Sequence, residues 1–136
     1  MADKVPVLIS QLADSDAEVR NKIYWQLDNT IVIQSDPSEA AFYAVELLVE
    51  LIENNPDENC IEAYELLEQI CIGSGYRIRE SSTQCVIDGQ LQYLSVAIAN
   101  EFYRLEDRIR KLKPNHSDNL HRLEYIVEHL DSQFEC

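Results

Sequence analysis

The chain is poor in the residues that make tight turns: of its 136 residues, three are glycine and four are proline. A fold of many short strands needs a turn about every ten residues, so an all-β architecture is not expected. No run of about 18 apolar residues occurs, and no membrane span is expected. The first stretch, MADKVPVLISQLADSD, turns acidic after a few apolar residues. It lacks the charged start, long apolar middle and cleavage site of a signal peptide, so the expected compartment is the cytoplasm. None of the four cysteines, Cys60, Cys71, Cys85 and Cys136, sits in a CxxC pair. They read as buried free thiols in a reducing compartment. There is no GxGxxG, no P-loop and no GxSxG, hence no cradle for phosphate and no nucleophile elbow.

Bases are scarce as well. Lys and Arg number 11 against 25 Asp and Glu, a formal net charge of −14. Nucleic acid and anionic membrane both need cationic surface, so neither is an expected partner. The deficit is local. Residues 36–73 hold ten acids and no base, whereas from Arg77 onward there are ten acids and eight bases.

What remains is helical periodicity. Val7, Leu8 and Leu12 begin an apolar face, and ADSDAEVR is a turn and helix start with Asp14 or Asp16 as cap. Val19, Ile23, Leu27 and Ile31 continue at helical spacing. QSDPSEAA predicts a second start, capped by Ser35 or Asp36 with Pro37 in the first turn. That helix runs from about Pro37 to Glu53 with Ala41, Val45, Leu48 and Ile52 inward. Another runs from about Asp57 to Ile72 with Cys60, Ala63, Leu67 and Ile70 inward, ended by the glycines of GSGYR. From about Cys85 to Lys113 the pattern is again helical, and Gly89 leaves two readings open, one long helix or two shorter ones. A last helix takes Leu120, Leu123, Val127 and Leu130 inward.

The chain repeats itself. Leu8 and Leu12 fall on Leu47 and Leu51 at an offset of 39; Tyr24 and Leu27 fall on Tyr64 and Leu67 at an offset of 40. A period of about 40 residues holding two helices is that of HEAT or armadillo-type units. LADSDAEVRNKIYWQL resembles the central part of a HEAT unit. The resemblance implies that Asp14 or Asp16 caps a second helix and that Arg20 braces the turn of a neighbouring unit. Ile23 stands where that pattern has a small residue, and Asn59-Cys60 stands where Val-Arg would continue the arginine ladder. CVIDGQLQYL, with Cys85, Gly89, Tyr93 and Leu94, is similar to a stretch of short bacterial HEAT-like proteins, among them proposed immunity proteins of polymorphic toxin systems. The expected fold is therefore all-α: about six helices in three antiparallel pairs (units near 4–34, 37–73 and 85–135), one domain over 1–136, wound as a short α-α superhelix.

Glu46, Glu50 and Glu53 stand at i, i+4 and i+7, and Glu58, Glu62 and Glu65 repeat that spacing on the next helix. Like charges one turn apart cost a few tenths of a kcal/mol per pair, about 0.2–0.5. Stacked side by side, the two rows would make one acidic patch for a basic protein partner. A cognate nuclease toxin, whose phosphate groove the patch would cover, fits that chemistry; a solvated face that keeps the chain soluble is the plain alternative. Tyr24 and Trp25 are adjacent and cannot both face inward, which leaves Trp25 as a candidate anchor. His121, Glu124, Glu128 and His129 lie within a few turns but lack the one-turn His pair of a zinc motif. The basic stretch RLEDRIRKLK, 104–113, is met by intrahelical pairs of Glu101 with Arg104 and Glu106 with Arg110; pairing with the acidic half of a second copy, a homodimer, is the alternative. No catalytic, metal or cofactor residue is assigned. The reading is a non-enzymatic protein-binding module, with a HEAT-like scaffold or an enzyme using His121 as alternatives.

Overall fold

The computed structural model describes residues 5–12, 16–33, 36–37, 39–55, 60–77, 84–87, 89–114 and 116–131. Seven helices occur among them: α1 (Val5–Gln11), α2 (Ala17–Ile31), α3 (Glu39–Asn54), α4 (Ile61–Arg77), α5 (Leu94–Arg104), α6 (Glu106–Arg110) and α7 (Ser117–Asp131). Two antiparallel ladders of two strands punctuate them, β1 (Val32–Ile33) with β2 (Asp36–Pro37), and β3 (Gln84–Ile87) with β4 (Gln90–Tyr93). The fold is all-α.

Two rows of helices make the molecule. In one, α3 packs on α1 and α5; in the other, α4 packs on α2 and α7. The rows meet where α1 packs on α2, α3 on α2 and α4, α4 on α5, and α6 on α7. The core follows the predicted stripes over α3 and α4. Ala41, Val45, Leu48 and Ile52 are buried, and so are Cys60, Ala63, Leu67 and Ile70. Burying a side chain of Leu or Ile size contributes about 1.5–3 kcal/mol each. Asp16 starts α2 as expected: its carboxylate accepts a hydrogen bond from the Glu18 amide at 2.9 Å. Asp14 and Ser35 lie outside the described residues.

Five expectations are corrected. Pro37 does not open α3. It pairs with Val32 in the β1–β2 ladder, in keeping with the extended bias of the residue before a proline and the strand preference of Val and Ile. Helix α4 does not stop at GSGYR but runs to Arg77. A glycine inside a helix costs about 1 kcal/mol, which packing along the most surrounded helix of the fold outweighs. Residues 84–93 form a hairpin rather than a helix. Ile87 faces Gln90 across the ladder, so two residues make the turn, and Gly89 has φ 81°. The sequence Asp-Gly between short alternating runs is the strongest local signal for such a turn. In α7, Leu120 is exposed and Ile126 takes its place in the core, a shift of the buried stripe around the helix. In α1 and α2, Val7 and Val19 are likewise exposed, with Ile9 and Leu12 carrying the α1 contact.

Candidate protein-binding surface

Helix α3 turns Val45, Leu48, Val49 and Ile52 inward, and so leaves Glu46, Glu50 and Glu53 on its outer side. Opposite Glu46 and Glu53 stand two arginines of α5 and α6. Arg108 donates through Nε to Glu53 Oε2 at 3.0 Å and through Nη2 to Glu53 Oε1 at 2.5 Å. Its Nη1 donates to Glu46 Oε2 at 3.3 Å. The Arg108 hydrogen bond holds the Glu53 carboxyl below the ordinary carboxylate range, outweighing a small opposing effect of burial. Arg104 grips the buried Glu101 with both nitrogens, at 2.6 and 2.9 Å, and lies 3.4 Å from Glu46. Those bonds push the Arg104 guanidinium further into its charged form. Glu50, between the two tied acids, is exposed at the mouth of a cleft of about 240 Å³ between α1 and α3, floored by Ile9, Leu47 and Leu51.

Helix α4 carries its acids on the other row. Glu62 accepts a bond from Arg20 Nε of α2 at 2.9 Å, and Glu68 stands 3.8 Å from Arg122 of α7. Arg122 also donates to the Oδ1 of the fully buried Asn119, at 3.2 Å. Burial raises the Glu68 pKa; Arg122 opposes this and the neighbouring Glu65 adds to it. Glu65 lies between Glu62 and Glu68, half-buried. Glu58 lies outside the described residues.

The predicted convergence of the two acidic rows into one patch is therefore corrected. Helices α3 and α4 pack against each other through their buried faces, and α4 packs on α5 as well as on α2 and α7. The exposed strip of α3 thus faces away from that of α4. Trp25 goes with the α4 side, because α2 and α4 share a row. It is 55% exposed, while Tyr24 beside it is 7% exposed and meets its ring edge-on at 5.2 Å. Glu18 and Lys22, seven and three residues earlier, are exposed on the same side of α2.

The anticipated pairs Glu101–Arg104 and Glu106–Arg110 are both present. What the sequence reading missed is that Arg104 and Arg108 also reach α3. Arg104, Arg108 and Lys111 have the same i, i+4, i+7 spacing as Glu46, Glu50 and Glu53, and that match was the available signal. Each arginine whose side chain is described pairs with a carboxylate of this chain, Arg110 with Asp131 as well as Glu106.

Other candidate chemistry is dispersed. His121 is exposed with Nδ1 3.8 Å from Glu124, and His129 is turned instead to Tyr125, its ring 4.4 Å from the tyrosine ring. Among the described residues, no group of three or more His, Cys, Asp or Glu is placed to hold a metal ion. Cys60 and Cys71 are buried thiols, Cys60 donating to the Asn55 carbonyl at 3.7 Å, and burial pushes the Cys71 thiol up. Burial likewise takes the Tyr64 hydroxyl up to about 12. No described helix is long and apolar enough to cross a membrane. Comparison of the chain with protein-family models, curated proteins and solved structures finds no match.

Proposed function

We propose that the chain is a non-enzymatic protein-binding module whose partner is a basic protein, docked on the outer side of the α2–α4–α7 row. The observation that carries this reading is the internal use of arginine. Because each arginine whose side chain is described is engaged by a carboxylate of the same chain, the acidic excess is left without internal cations. Glu18 and Glu128 are exposed on this row, and Trp25 offers a large flat apolar area on it. An exposed aromatic anchor on a row with exposed carboxylates suits a partner with an apolar pocket flanked by Lys or Arg. Long-range attraction would speed the encounter and weaken with salt.

The finer proposal is an immunity protein. A nuclease toxin presents cations around its phosphate groove, and a rigid acidic helical face laid over that groove would exclude the substrate. The net charge of −14 and the likeness to short HEAT-like immunity proteins support it.

The test is a pull-down from the native cell with the tagged chain, at low and high salt, with three variants. Capture of a basic protein at low salt, lost at high salt and reduced at least about tenfold by Trp25→Ala and by Glu65→Lys, is the expected result. Glu50→Lys, on the opposite side, should leave capture unchanged. Capture that survives Trp25→Ala but fails with Glu50→Lys would place the partner on α3 and sink this reading of the face.

A further inference from the structure

The hairpin β3–β4 leaves large apolar side chains of β4 in water. A strand has a period of two, so on a half-buried ladder the apolar set should face the core. Here Leu91 is 66% exposed and Tyr93 40%, two residues apart on one face of β4. Val96, in the first turn of α5, is 38% exposed just beyond. Three exposed apolar side chains thus follow one another between positions 91 and 96, from strand to helix.

The charge of this strip singles it out. From Gln84 to Asn100 the one charged residue is Asp88, in a chain whose net charge is −14. A basic partner gains nothing from such a strip. Two copies of this chain repel each other over most of their surface, and this is where they could touch with least electrostatic cost. A two-fold interface must also be self-complementary, because the same patch serves on both sides. A neutral apolar strip meets that condition, whereas an acidic face does not.

We propose that the β3–β4 hairpin is a self-association surface, on which the same hairpin of a second copy of this chain docks, Leu91, Tyr93 and Val96 packing against their counterparts about a two-fold axis.

The salt dependence separates this from docking on the acidic face. Pairing of two strongly negative chains through a neutral strip strengthens as salt screens their repulsion, whereas docking of a basic partner weakens. Sedimentation velocity on the full chain, from roughly micromolar to submillimolar and at about 0.05 M and about 0.5 M NaCl, reads it directly. The expected result is a dimer whose fraction rises with concentration and with salt. Leu91→Ser, which removes apolar contact without adding charge, and Tyr93→Asp should each weaken it at least about tenfold with the circular dichroism spectrum unchanged. Val7→Asp, an exposed apolar position on α1, should leave it intact. A monomer under every condition would overturn the proposal. So would a dimer indifferent to both hairpin variants, or one dissolved by salt; the last outcome would assign self-association to the basic stretch 104–113 meeting the acids of another copy.

Discussion

The acids of α3 and those of α4 are written in nearly the same idiom, yet the fold treats them in opposite ways. On α3, Glu46 and Glu53 lie in shallow, water-accessible ion pairs with Arg104 and Arg108, and the Arg108 bond keeps Glu53 more acidic than an ordinary carboxyl. On α4, Glu68 is sunk between its own helix and α7, where loss of water outweighs the attraction of Arg122 and the carboxyl is less acidic than usual. One row is held charged by its partners. The other is charged at a cost. Local spacing is almost the same in both, so depth of burial and donor geometry set the sign.

Three substitutions would sharpen or break that contrast. Arg122→Ala should have the largest effect, a loss of about 1–2 kcal/mol in chemical denaturation at neutral pH, because it leaves a partly desolvated Glu68 without its cation. That loss should shrink on acidification as Glu68 takes up its proton. Arg108→Ala comes next. It removes the bonds from α6 to both Glu53 and Glu46, but in a wet setting, so about 1 kcal/mol or less is expected. Its pH dependence has a definite sign. Glu53 has a depressed folded-state pKa, so its pairing stabilises the protein above the ordinary carboxylate range near 4.5 and is lost as pH falls through the lower folded value. The difference between wild type and Arg108→Ala should therefore close below that range. Glu68→Gln should have the smallest effect and the opposite sign, a gain of about a few tenths of a kcal/mol at neutral pH that disappears as the wild-type carboxyl protonates. A clear loss of stability in Glu68→Gln at neutral pH would mean that the two rows are alike after all.

Much of the scaffold was legible before any coordinates. The buried stripe of α3 follows from spacing alone, and Asp16 announces the start of α2. The failures have local causes. Few glycines in the whole chain argued against strands, but one Asp-Gly in the right frame is enough for a hairpin, and a global composition cannot see it. Leu120 and Ile126 illustrate another limit: α7 offers two adjacent apolar stripes, and the shape of α4 decides which is buried. The acidic surface was legible in charge but not in geometry. Sequence spacing places Glu46 and Glu53 on one helix face, but their arginine lies 62 and 55 positions away. Only the packing of α5 and α6 beside α3 brings it across.

The placement of Trp25 has a spectroscopic consequence. It is the chain's single tryptophan and it sits in water on the outside of α2. With 55% of it exposed, its emission in the folded state lies toward that of a solvated indole, and melting the helices shifts it less than it would a buried one. A ligand that covers it would shift the spectrum to the blue. Intrinsic fluorescence in this protein is thus an occupancy meter for the α2 face and a poor thermometer of the core.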